Sequence, residues 1–247
     1  MAFIALTALG SCKSSDNGSG SDTTQSAAGV WLGTDASSGL DITGIIAASG
    51  AATFIRGDGV QFDGNVQVSG STLAATVSGY TNFNGTFTDG STYGLGTLNA
   101  SVATQSTLDG TLSFTTNGGS AISGSWQLGY ASYATSGASL TAVAATYTDT
   151  VSGASLTINS SGALTGSDPG NNCVLNGTIS APSSSYNVYQ VSYTLGNCAG
   201  TSAVLDGVKF TGLATLNNSI SPSQLIVAVA GASSTTKYAI VSTLNAS

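Results

Sequence analysis

The chain has 247 residues, of which 41% are hydrophobic and only 6% charged, and its formal net charge is −7; an average globular protein carries roughly 25% charged residues. The apolar share is too high for a disordered chain, and the four basic residues, Lys13, Arg56, Lys209 and Lys237, are scattered, which excludes the clustered cations that nucleic acid or an anionic membrane surface requires. All eleven acidic residues are Asp, and there is no His, so Ser-His-Asp and Cys-His catalysis and histidine metal sites are excluded as well.

In chain order, the first element is the apolar run Met1 to Leu9, which ends in Leu9-Gly10-Ser11-Cys12. Small residues before a Cys, after an apolar run too short to span a bilayer, resemble the lipobox of bacterial lipoproteins. In that family the Cys becomes the mature N-terminus and carries the lipid, so residues 1–12 read as a signal segment and Cys12 as the lipidated residue. A secretory signal also has a positively charged start. Met1-Ala2-Phe3-Ile4 has none, and a truncated or misassigned start codon is the expectation. Residues 13–27 (KSSDNGSGSDTTQSA) are polar, Gly/Ser-rich and aperiodic, the composition of a flexible tether. The order of anchor, tether and body implies an envelope location, outer membrane in the first instance, with the lipid as the only membrane contact.

From residue 28 onward no window carries a helical stripe, and apolar residues alternate with period two, the pattern of half-buried strands. Val60, Phe62, Val66 and Val68 flank Asp63-Gly64, and Val188, Val191, Tyr193 and Leu195 form another such run. Ser-Gly, Asp-Gly, Asn-Gly and Gly-Gly pairs punctuate the runs as hairpin turns. The expected fold is all-β: two antiparallel up-and-down barrels or sandwiches of about eight strands each, over residues 28–134 and 135–247. The division rests on collinear self-similarity. Gly39 to Thr43 matches Gly153 to Ile158, Ala52 to Phe54 matches Ala163 to Thr165, Val60 to Val66 matches Val174 to Ile179, and Gly94 to Asn99 matches Gly212 to Asn217. Between the copies, the Ser/Gly/Ala stretch 134–142 reads as an exposed linker.

A short signature of apolar, any residue, Gly, small polar, apolar recurs at Phe62–Val66, Phe83–Phe87, Leu108–Leu112, Ile122–Trp126 and Leu175–Ile179. Glycine weakens a strand unless curvature or a close approach needs it, so the fixed position predicts sheets that coil and close. With Cys12 assigned to lipid, Cys173 and Cys198 remain as a pair, and an exported chain favours a disulfide between them.

Gly29-Val30-Trp31, the Gly-Ser-Trp-Gln-Leu-x-Tyr strand at 124–130, and the run from Leu164-Thr165-Gly166-Ser167-Asp168 through Cys173 to Cys198 resemble a group of uncharacterised proteobacterial surface lipoproteins. The resemblance covers most of the folded body, and no activity travels with it. Gly29-Val30-Trp31 is also similar to the Gly-x-Trp that opens lipocalin barrels, an analogy of fold only.

Functional expectations are correspondingly spare. No catalytic residue, metal ligand or cofactor is expected. The Asp-Gly pairs at 58, 63, 89, 109 and 206 read as turns in which the carboxylate bonds its own backbone. Arg56-Gly57-Asp58 reads as a hairpin tip and Asp168-Pro169-Gly170-Asn171-Asn172 as a turn. The aromatics Tyr80, Phe83 and Tyr93 in one stretch, and Tyr186 and Tyr189 in another, are the candidate binding residues. On an exposed sheet face they would meet a glycan or a partner protein, host or envelope; buried, they are core. The expected role is non-catalytic binding or adhesion. The alternatives are a carrier with a hydrophobic ligand inside a barrel and a purely structural envelope component.

Overall fold

The computed structural model describes residues 24–234 and 236–247. Cys12 and most of the tether lie outside the described residues. The body is two closed antiparallel eight-stranded barrels. The first contains β1 (Gly29–Asp35), β2 (Asp41–Ile46), β3 (Ala51–Arg56), β4 (Gln61–Asn65), β6 (Thr72–Tyr80), β7 (Tyr93–Ala103), β8 (Thr107–Thr116) and β9 (Ala121–Tyr130). It closes through the β4–β6 and β1–β9 pairings, and the short β5 (Gln67–Ser69) pairs only with the start of β6. The second runs β10 (Thr146–Thr148), β11 (Ser155–Ile158), β12 (Ala163–Asp168), β13 (Cys173–Ser180), β14 (Tyr189–Gly196), β15 (Lys209–Asn217), β16 (Gln224–Ser233) and β17 (Thr236–Ala246). Each of its strands pairs with the next, and β10 with β17.

The four self-similar segments fall on equivalent strands of the two meanders: β2 and β11, β3 and β12, β4 and β13, and β7 and β15. Four of the five glycine signatures lie wholly or largely on strands. Gly110 leaves the space that the Trp126 indole takes, since a Cβ there would sit 2.9 Å from the ring. At Gly177 a Cβ would sit 2.2 Å from the Ser192 carbonyl oxygen. The fifth, Phe83–Phe87, is not a strand: it lies in the loop between β6 and β7. Its spacing is that of the others, but Asn84 and Gly85 turn the chain instead of curving a sheet, and Asn84 has a φ of 68°.

The first barrel is filled. Trp31, Phe54, Phe62, Phe87, Phe114 and Trp126 occupy it among leucines and valines, and the space beside Phe54, Phe62 and Trp126 is about 10 Å³, room for about one water. The second barrel buries Tyr147, Tyr189, Tyr193 and Phe210, and the Cys173–Cys198 disulfide is formed at one end.

A third apolar cluster joins the barrels. Val30, Ile45, Ala47 and Ile55 of the first pack with Val188, Leu213 and Ala228 of the second, and Ala131, Tyr133 and Ala134 are part of it. The stretch 134–142 is exposed at Thr135, Ser136, Ser139, Thr141 and Ala142 but is pinned at two points. Ala134 and Ala138 are buried, and Asn187 Nδ2 donates to the Tyr133 carbonyl at 3.0 Å. The stretch's alanines at 134 and 138 pack against the body while its Ser and Thr side chains stay in solvent or at its border.

Candidate functional site

The free edge of β17 positions one half of the site. Strand β10 covers β17 only at Asn245 and Ala246, so the edge from Lys237 to Ser242 needs other partners, as a bare sheet edge does. The loop after β6 supplies them. Phe83 N–H donates to the Ala239 carbonyl at 2.9 Å, Val241 N–H donates to Asn82 Oδ1 at 3.2 Å, and Phe83 meets Tyr238 edge-on at 6.1 Å between ring centroids. This docking, with the apolar cluster beside it, holds the two barrels at a fixed separation.

Between them lies a groove of about 750 Å³. Its floor is the outer face of the second barrel, in register: Thr178, Ser192, Thr211 and Ala230 in one row, and Ser180, Gln190 and Leu213 in the next. Lys209 and Lys237 close one side. The opposite wall comes from the first barrel: Ala51 and Thr53 of β3, Asp63 of β4 and Tyr80 of β6. Asp63 Oδ1 accepts from Thr53 Oγ1 at 2.5 Å, and Gln61 Nε2 donates to both carboxylate oxygens at 2.8 and 2.7 Å. Burial between the barrels outweighs these bonds and pushes the Asp63 carboxyl up to about 6. Burial also holds the Tyr80 phenol above its usual value, with the Asp63 charge adding to the effect. Lys237 is held in place by Tyr93, whose ring centroid lies 4.0 Å from Nζ.

A second hollow, of about 430 Å³, opens at the second barrel beside β17 and the loop after β6. Leu156, Leu175, Tyr193, Leu195, Ile240 and Leu244 line it, and Phe83 stands at its rim.

The five candidate aromatics have three different fates. Tyr80 and Tyr93 pair at 5.4 Å between centroids, one lining the groove and the other beneath Lys237. Phe83 and Tyr186 join the barrels, Tyr186 hydroxyl lying 3.1 Å from Ser26 Oγ. Tyr189 is fully buried, and its hydroxyl donates to the Ser139 carbonyl at 3.2 Å.

The Asp-Gly pairs divide. Asp58, Asp89 and Asp206 accept backbone N–H groups at turns, whereas Asp63 and Asp109 lie within strands. Asp63 is the groove residue that the Asp-Gly reading hides. Its membership in the recurring glycine signature is the signal that separates it from a turn. Arg56 bonds Asp58 through Nε and Nη2 at 2.9 and 2.8 Å, a closed hairpin tip. In the 168–172 turn Asp168 accepts from Gly170 N–H at 3.0 Å and from Asn171 Nδ2 at 2.7 Å. No family model, curated protein or solved structure matches the chain.

Proposed function

We propose that this is a lipid-anchored protein of the bacterial cell envelope that recognises a ligand in the groove between its barrels, without catalysing a reaction. The observation that carries the reading is the groove itself. Its volume lies within the range of binding sites, and both barrels contribute walls to it. The lipobox at Cys12 and the polar tether supply the anchor and the reach. The groove brings one carboxyl together with amide, hydroxyl and lysine groups, a lining that can hold a polar ligand by hydrogen bonds and charge.

The test has two parts. In cells, Cys12→Ala should move the protein from the membrane to the soluble fraction; retention in the membrane would defeat the lipoprotein reading. On arrays of glycans and matrix proteins, Thr211→Trp fills the floor of the groove and should abolish binding that the unmodified protein shows. Unchanged binding would reject the groove as the recognition site.

One observation favours a second reading, a carrier of a small apolar ligand: the hollow beside β17 leads to leucines and Tyr193. The packed first barrel and the tyrosines filling much of the second weigh against it. Enhanced fluorescence of an apolar dye, raised further by Phe83→Ala, would support the carrier over the groove.

A further inference from the structure

Among the described residues there are three cationic side chains, Arg56, Lys209 and Lys237. Arg56 is ion-paired with Asp58 at 2.8 Å. The other two line the same groove, and neither has an ion-pair partner among the described residues. In a chain of net charge −7, the unneutralised positive charge of the body is thus concentrated at one place.

Their spacing is set by the sheet. Phe210 pairs with Gly231, which puts Ala232 across from Lys209, and Ala232 pairs with Lys237. The two lysines stand two strands apart, roughly 10 Å, with a methyl group between them. Asp63 forms no ion pair with either lysine; its oxygens accept from Thr53 and Gln61 on the opposite wall. Beside the lysines, Thr178, Ser180, Gln190, Ser192 and Thr211 form no side-chain hydrogen bond with another described residue, leaving five hydroxyl or amide groups turned to the groove. Tyr80 lines the opposite wall.

We propose that the groove binds a short acidic saccharide: Lys209 and Lys237 take its carboxylate or sulfate groups, the Thr/Ser/Gln floor takes its hydroxyls, and Tyr80 lies against a sugar ring. The assignment rests on the groove being the recognition site and adds the class of ligand. A diffuse polyanion would use the lysines but leave the hydroxyl floor idle; a neutral sugar would do the reverse. An acidic sugar uses both.

The test is calorimetric titration of the full chain in detergent with trigalacturonate, sialyllactose and a sulfated heparin disaccharide, against neutral cellotriose and citrate. At least one acidic saccharide should bind at least tenfold more tightly than either control. The Lys209→Gln/Lys237→Gln double variant should weaken it tenfold or more, and Arg56→Gln should leave it unchanged. Raising the salt should weaken it too, since exposed charges are screened. Equal binding of cellotriose or citrate, no binding of any acidic saccharide, or an indifferent double variant would overturn the assignment. Array binding to other targets that Thr211→Trp abolishes would leave the recognition reading standing while the acidic-saccharide assignment falls. Array binding indifferent to Thr211→Trp would reject the recognition reading itself.

Discussion

Asp63 ties stability to pH in a direction unusual for a carboxylate. Its folded value of about 6 lies above the roughly 3.9 of an unfolded Asp, so the folded state holds the proton more tightly. Its favourable contribution is fully present below pH ~4 and is lost as pH rises through about 6, a change on the order of 2–3 kcal/mol. Asp63→Asn should remove this slope. Gln61 Oε1 is buried without a partner, and an Asn amide at position 63 brings a donor within reach of it. Urea unfolding between pH 4.5 and 8 is the measurement. Wild type should lose stability with rising pH while Asp63→Asn stays nearly flat, and parallel curves would contradict the assignment. Asn187 acts by a different route. Its side chain donates to the carbonyls of Tyr133 and Leu216 at 3.0 and 2.7 Å, and its own carbonyl accepts from Thr215 Oγ1 at 2.7 Å. Asn187→Leu leaves buried carbonyls without donors and should cost about 2–3 kcal/mol, read from the same denaturant midpoint.

At the scale of elements, the strands are where sequence and structure agree most closely, because a barrel wall with one solvated face writes period two into the chain. Strand β8 alternates exposed and buried without a break from Thr107 to Thr116. The glycines carry a second legible signal. Gly177 and Gly196 lie on neighbouring strands, but only the first is crowded: a Cβ at Gly196 meets nothing closer than 3.8 Å. Gly177→Ala should therefore destabilise by roughly 1–3 kcal/mol through overpacking, and Gly196→Ala should change little; equal effects in thermal melts would refute the close-approach account. The disulfide, 25 residues apart in the chain, should contribute roughly 3–4 kcal/mol in the chain-entropy model. The surfaces between barrels were the hidden part. Ile45 and Ile46, and likewise Phe54 and Ile55, are consecutive buried residues, one facing the lumen and its neighbour facing the other barrel. Such continuous apolar runs mark strands covered on both faces, yet in short strands they merge with ordinary core. The groove inherits the same opacity, since it joins Asp63 to Lys209 across elements that no local pattern connects.

For the whole molecule, the question is whether two repeated barrels behave as two bodies or one. Each has its own filled or largely filled core, which alone would permit independent folding. Against that stand the cluster built on Val30, Ile45, Leu213 and Ala228 and the covered edge of β17. Separating the barrels would expose those apolar groups and strip Ala239 and Val241 of the bonds they share with Phe83 and Asn82. The connecting segment is pinned by the buried Ala134 and Ala138 although Thr135, Ser136, Ser139, Thr141 and Ala142 are exposed, so nicking there requires it to detach locally. Wild type should accordingly melt in one cooperative transition and resist nicking between 134 and 142. Ile45 is fully buried in the interface and points away from the lumen of its own barrel. A charge there cannot be paired, and burying it costs several kcal/mol, which separation of the barrels relieves. Ile45→Asp should then split the melt into two transitions and open the connecting segment to protease, with only the second barrel's transition responding to reduction of Cys173–Cys198. Two transitions already present in wild type, or ready cleavage at 134–142 that yields two stable fragments, would show that the interface does not couple the barrels and that the groove between them has no fixed width.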